Sequence, residues 1–354
     1  MTCNKIQLIA YYLPQFYEIE FNNKYWGQGY TEWTVTAKGK PLFKGHYQPH
    51  VPADLGFYNL LMPEAREAQA QMAKEYGIDG FCYWHYWFGN GRTIMEKPIN
   101  AVLESGKPDF PFCFCWANHS WHNPATKEQI LTQEYPGEED HIAHFNDCLR
   151  AFRDDRYLKV DGKPIFGIFD PSNMPDMDGF IDLWNRLAKE AGFPGFYFVG
   201  IAQTPEAFDA VKDSRLDAIN TVRLKDFLVH QNQYKEFFKY KFGGFHDYKY
   251  CEAQKYFVNE QDRAENVIPT IIPGWDHTPR SGRNGLILTD YTPEAFEKHV
   301  RTTLDLVSHK QNKLCFIKAW NEWGEGNHLE PDLKNGLSFL EVLKSVKSKI
   351  TLNK

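Results

Sequence analysis

The chain has 354 residues, a formal net charge of −6 and no low-complexity tract, so it has material for a large core. Its Lys and Arg residues are scattered rather than gathered in an arm or stripe, which excludes a nucleic-acid footprint. No run reaches the roughly 18 apolar residues of a membrane span. The start, Met1 to Ala10, enters a strand-like run without a basic region and cleavage site, so no secretory signal is expected. Cys82, Cys113, Cys115 and Cys315 sit in apolar strand-like runs, which suits reduced core thiols and a cytoplasmic location.

Eight short apolar runs rich in β-branched and aromatic residues follow one another along the chain. They predict strands at Ile6–Tyr12, Asp79–Trp84, Phe112–Trp116, Ile165–Phe169, Phe196–Ile201, Ala218–Thr221, Val267–Ile272 and Leu314–Ala319. Amphipathic segments lie between them at Pro63–Tyr76, Met95–Ser105, His141–Asp154, Gly179–Ala191, Pro205–Asp213 and Thr292–His309. Thr204-Pro205-Glu206 and Thr292-Pro293-Glu294 put a cap, a proline and an acid at helix starts. Unbroken apolar strands alternating with helices predict an α/β fold, a single (β/α)8 barrel spanning 1–354. No Gly-x-Gly-x-x-Gly follows the first strand, which removes the case for a dinucleotide-binding sheet. Two long insertions, Glu18–Leu61 after strand one and Lys225–Asn266 between strands six and seven, are too aromatic for disorder and are expected to wall a cleft.

Active sites of such barrels lie at the carboxyl ends of the strands. Read there in order, the chain offers Tyr12 and Gln15, then Trp84, His85 and Tyr86, then Trp116, Asn118 and His119. Gln203 follows strand five, Trp275 and Asp276 strand seven, and Trp320, Asn321 and Trp323 strand eight. The first insertion adds Glu32 and His46. Polar groups among aromatics fit an oligo- or polysaccharide, whose C–H faces stack on flat rings while its hydroxyls take polar partners. Aromatic residues make up 16% of the chain, enough to fill a core and still wall such a site.

Glu322 and Glu325 are the candidate catalytic residues, because glycosidic cleavage calls for one carboxyl group to protonate the leaving oxygen and another to act as base or nucleophile. On an extended chain they would stand about 10 Å apart; Gly324 allows a turn that brings them together. Trp320 and Trp323 are expected to form a dry wall that raises one pKa. The thirteen His residues show no His-Glu-x-x-His and the Cys residues no metal-binding quartet, so neither metal nor cofactor is expected. No Gly-x-Ser-x-Gly supports acyl transfer.

Several segments resemble the WbsX-type polysaccharide-biosynthesis proteins, often labelled glycosyltransferases and related to the endo-acting α-mannosidases of glycoside hydrolase family 99. They are Tyr11-Tyr12-Leu13-Pro14-Gln15-Phe16, Gly29-Tyr30-Thr31-Glu32-Trp33, Lys44 through His50, Asp54-Leu55-Gly56, Cys82 through Phe88, and Asn321 through Pro331. The resemblance implies the same barrel. It also implies that Glu322, first in Glu322-Trp323-Gly324-Glu325, is the base on a sugar 2-hydroxyl, giving a 1,2-anhydro sugar. Glu325 would be the general acid, with net retention. One departure stands out: relatives read Trp-Ala-Asn-Glu-Asn-Trp where this chain has Trp116-Ala117-Asn118-His119-Ser120-Trp121. Three readings follow: a retaining, endo-acting glycoside hydrolase on an α-linked, mannose-like glycan, a glycosyltransferase of O-antigen or capsule assembly, and a non-catalytic carbohydrate-binding barrel. The missing acid at His119 favours the last; the absence of an Asp-x-Asp motif in a suitable setting and of a phosphate cradle weighs against the second.

Overall fold

The computed structural model describes residues 5–123 and 127–352. Eight parallel strands form one sheet: β1 (Gln7–Tyr12), β2 (Gly80–His85), β3 (Phe112–Trp116), β4 (Lys163–Ile168), β5 (Tyr197–Ala202), β6 (Ala218–Thr221), β7 (Val267–Ile271) and β8 (Leu314–Ile317). The sheet closes on itself. Strand β1 pairs with β2 on one side and β8 on the other, and β3 pairs with β4 through Phe114↔Phe166, Cys115↔Gly167 and Trp116↔Ile168. This is the expected barrel, with every strand within two residues of its predicted ends. At the β3–β4 seam a side chain on Gly167 would come within 2.8 Å of Cys115 Sγ, so the close pairing there depends on glycine.

Helices fill the connections: α1 (Glu20–Trp26), α2 (Glu32–Ala37), α3 (Pro63–Glu75), α4 (Lys97–Ser105), α5 (Glu138–Phe152), α6 (Met177–Glu190) and α7 (Pro205–Val211), then α8 (Gln233–Lys241), α9 (Tyr250–Ala253), α10 (Thr278–Ser281), α11 (Pro293–Ser308) and α12 (Ser338–Leu352). Thr204 and Thr292 cap α7 and α11, accepting from Ala207 N at 3.1 Å and Ala295 N at 3.3 Å. The first insertion carries α1 and α2. The second folds into α8, α9 and short 3-10 turns, and its segment His246–Lys249 pairs in parallel with Leu286–Thr289, a small sheet outside the barrel.

Alternation along each strand decides which side chains meet the barrel interior. Tyr11, Cys82, Trp84 and Cys115 fall on the inner phase. Tyr11 stacks on Trp84 at 4.8 Å, and its hydroxyl donates to Asn220 Oδ1 on β6 at 2.8 Å. Asn220 donates in turn to Thr270 Oγ1 on β7 at 2.8 Å, so this interior polar group is satisfied. The alternate residues Tyr12, His85 and Trp116 face the helices. The described cysteines are free thiols. Among the described residues no helix is long and apolar enough to cross a membrane.

Candidate active site

At the carboxyl ends of the strands a cleft of about 480 Å³ opens. Leu13 and Gln15 follow β1, and Trp84 and Tyr86 stand at the end of β2. The β3 loop supplies His119 and Trp121, β4 is followed by Phe169, and β5 by Gln203. Trp275, His277 and Arg280 come from the loop after β7, and Lys318, Glu322 and Glu325 from that after β8. Trp26 and Tyr30 of the first insertion, stacked on each other at 5.1 Å, complete an aromatic rim with Trp121.

The two glutamates reach one cleft because the chain turns sharply between them. Asn321–Glu322 pairs antiparallel with Asn327–His328, Trp323–Glu325 forms one 3-10 turn, and Gly326 takes the left-handed conformation at φ 54°. Asn321 pins this turn to β1: its side-chain oxygen accepts from Leu13 N at 2.7 Å and its amide donates to Leu13 O at 3.0 Å. Asn118 does the same between β3 and β4, accepting from Asp170 N and donating to Asp170 O, each at 2.8 Å, which places His119 at the cleft.

The carboxylates sit in unlike surroundings. Trp84 Nε1 donates to Glu322 Oε1 at 3.1 Å, beside Tyr86. Burial, reinforced by the charge of Glu325, pushes Glu322 up to about 7 against the pull of Lys318 and Arg280. Burial would raise Glu325 as well, but Lys318, Arg280, His277 and Lys225 together hold it below the usual carboxylate range. Lys318 Nζ lies 3.9 Å from Glu325 Oε2, between the rings of Trp84 at 5.8 Å and Trp275 at 5.6 Å. The site therefore carries one carboxyl that keeps a proton near neutrality and one that does not, an arrangement suited to acid–base work.

Arg280 links three carboxylates. It donates to Glu32 Oε1 at 2.6 Å and lies 3.9 Å from Glu322 Oε2 and 3.5 Å from Glu325 Oε1. Glu32 is fully buried beneath the cleft and also accepts from Gly324 N at 3.0 Å. A side chain on Gly324 would fall 2.3 Å from that same Glu32 oxygen, so glycine at this position lets the carboxylate reach the turn.

The cleft thus gathers Gln15, Trp84, Tyr86, His119, Gln203, Trp275, Glu322 and Glu325 of the residues picked from the sequence. Others lie elsewhere, for reasons of phase and packing. Tyr12 faces α3, its hydroxyl donating to Gln69 Oε1 at 2.7 Å. His85 stacks on His144 of α5 at 5.0 Å, and burial lowers its pKa to about 4. Trp116 packs on His144 and Phe180, with Nε1 donating to Trp87 O at 2.8 Å. Trp320 lies against Phe81 at 5.4 Å, and Trp323 donates to Glu330 Oε2 at 2.6 Å, so neither forms the dry wall expected of them. Trp84, Trp275 and Tyr86 take that place. His46 and Asp276 pair at 2.7 Å in the wall of a second cavity, docking the first insertion onto the β7 loop. The cations Arg280 and Lys318 escaped sequence reading, although a lysine ending the apolar run of β8 is an available signal.

Comparisons with known proteins agree with this architecture. The family model described as glycosyltransferase WbsX matches residues 8–343. Protein WxcX of Xanthomonas campestris pv. campestris, described as uncharacterized, is 30% identical over 351 residues in strain B100, covering 95% of this chain and 48% of WxcX. Strain ATCC 33913 has a counterpart with the same identity and coverage. The chain spans about half the length of these curated relatives. Of solved structures, a family 99 endo-α-mannosidase from Bacteroides thetaiotaomicron, bound to bis-tris propane, superposes with a TM-score of 0.61 at 15% identity, over 98% of this chain and 97% of that one. A glycoside hydrolase-like protein gives 0.59 at 15%, over 98% and 95%. These two likenesses speak for the barrel fold alone. The match over most of the sequence does more: the chain belongs to the glycosyltransferase WbsX family.

Proposed function

We propose that this protein is a retaining, endo-acting glycoside hydrolase on an α-linked, mannose-like glycan, with Glu322 and Glu325 as its acid–base pair. The observation that carries this reading is the placement of both carboxylates on one turn in one cleft, in environments that split their affinities for a proton. An open cleft with an aromatic rim suits a chain that passes through rather than an end that plugs in. In the proposed cycle Glu322 takes the proton of the sugar 2-hydroxyl, O2 attacks C1, and the C1–leaving-oxygen bond breaks as Glu325 protonates that oxygen. Water then opens the 1,2-anhydro ring at C1, giving its proton to Glu325 while Glu322 returns one to O2. Configuration is retained.

Burial favours the shared proton of the free site on Glu322, whereas this role order needs it on Glu325. The two placements are forms of one charge state of a coupled pair. The rate is then scaled by the share that carries the proton on Glu325, a share that a hydroxyl docked on Glu322 increases. Arg280 and Lys318 would stabilise the ionised partner throughout.

The leaving group discriminates the roles. Glu325→Gln should slow a glycan substrate by about 10²–10⁴-fold and an activated aryl glycoside far less. Glu322→Gln should slow both alike. The reverse pattern would exchange the roles, and equal small losses in both variants would mean that the chemistry lies elsewhere. Glycosyl transfer is the second reading, favoured by the description of the matching family; a requirement for a nucleotide-sugar donor would establish it.

A further inference from the structure

A second cavity, of about 490 Å³, lies beside the cleft, and Trp275 lines both. Its wall carries His50, His328 and Asp332, none of which lines the cleft of Glu322 and Glu325. One ligand atom of each lies within 4.8 Å of the other two. His50 Nδ1 and His328 Nε2 are 2.8 Å apart. His328 Nδ1 lies 2.8 Å from the backbone carbonyl of Glu330, which can only accept, so Nδ1 carries the proton and Nε2 presents its lone pair. Stacking on Trp323 at 3.7 Å fixes the ring of His328, and stacking on Tyr47 at 4.5 Å that of His50. Asp332 is held by the backbone N–H groups of Lys334 at 2.9 Å and Asn335 at 2.6 Å, and by the Asn335 amide at 3.0 Å. Among the described residues no cation forms an ion pair with Asp332; the Lys334 ammonium sits 4.7 Å over the ring of Tyr47 instead.

We propose that His50, His328 and Asp332 bind one divalent transition cation of the zinc class at the wall of this cavity. Two imidazoles and a carboxylate are the donors such a cation takes, whereas calcium or magnesium would ask for a shell of oxygens. Burial keeps both rings neutral, the form in which imidazole is a ligand. Outer contacts already orient each donor, as they do at metal centres, and the cavity leaves room for further ligands. The cation would tie the Lys44–His50 arm to the segment that follows the two glutamates, without entering their chemistry. A second trio, His85, His144 and Cys148, is packed among aromatic rings and opens onto neither cavity.

A hydrogen bond between the two histidines is the competing explanation, and it makes no use of the charge on Asp332. The test is calorimetric titration of the chelator-stripped protein with Zn²⁺, with thermal melts and the visible spectrum of the Co²⁺-loaded protein alongside. The expected result is one saturable equivalent and a melting temperature raised by several degrees. His50→Ala and Asp332→Asn should each weaken binding by about 100-fold or more, since even outer-contact losses are commonly worth 10–100-fold. Asp332→Asn keeps an oxygen for the turn at Lys334 and Asn335, and each variant is compared with its own metal-free melt to confirm the fold. The Co²⁺ bands of the parent should vanish in both. Absence of saturable Zn²⁺ binding, or binding undiminished in either variant, would overturn the site.

Discussion

Replacing Arg280 by Met should raise the pH at which Glu322 loses its proton. The guanidinium lies 3.9 Å from Glu322 Oε2. At an effective dielectric constant near 20 that separation corresponds to about 4 kcal/mol, or a ceiling of about 3 pH units. Arg280 is shared among three carboxylates and its side chain keeps 24% exposure, so about one unit is the expected shift, upward from about 7. The variant also strands Glu32, which loses its 2.6 Å partner in a fully buried place. A buried charge left unpaired costs about 3–5 kcal/mol, reduced here because Glu32 can take up a proton instead. The assay is a titration of ¹³C-labelled glutamate carboxyls by NMR, with the Glu322 resonance assigned through Glu322→Gln. A Glu32→Gln, Arg280→Met double variant should recover much of the stability while Glu322 stays above its parental midpoint. A midpoint that stays put or moves down would refute the electrostatic account of the site.

Other outcomes follow from the same contacts. Gly324→Ala should push Glu32 off the turn and misplace Arg280, lowering activity by about 10-fold or more (about 1.4 kcal/mol of barrier); unchanged turnover would mean that Glu32 does not position the arginine. Gly167→Ala overpacks the β3–β4 seam and should cost about 1–3 kcal/mol in denaturant unfolding, with a melt equal to the parent's counting against the closed pairing there. Burial pushes Glu330 up to about 7, so the native state binds its proton more tightly than the unfolded chain does. Its share of stability is full below about pH 4.5 and is lost as pH rises through about 7. Glu330→Gln should therefore flatten the fall in melting temperature over that window, and an unflattened fall would contradict the assignment.

The barrel was legible because strands covered on both faces leave unbroken apolar runs, such as Phe112–Trp116 and Leu314–Ile317, bounded by turn residues. The phase within those runs was not. When every position is apolar or aromatic, nothing in the pattern says that Tyr11 and Trp84 face inward while their neighbours Tyr12 and His85 face the helices. The turn that brings the two glutamates into one cleft was legible from Glu322, Gly324 and Glu325 together with their place after the last strand. Its supporting charges were harder to see. Arg280 lies beside Ser281, Gly282 and Arg283 in what reads as an exposed loop, and only the fold carries it to Glu32, 248 positions earlier in the chain. Glu330, buried with Tyr58, Gln69 and Trp323 as donors, has the same long-range origin.

The central claim, hydrolysis by the Glu322–Glu325 pair, is tested most directly by incubating the protein with defined α-mannosides and capsule oligosaccharides, with and without nucleotide-sugars, and following products by mass spectrometry. Shorter oligosaccharides formed without any donor, with retained anomeric configuration by early-time NMR and lost in Glu322→Gln, are the predicted result. Products that form only when a nucleotide-sugar is present, and that are longer than the substrate, would contradict it.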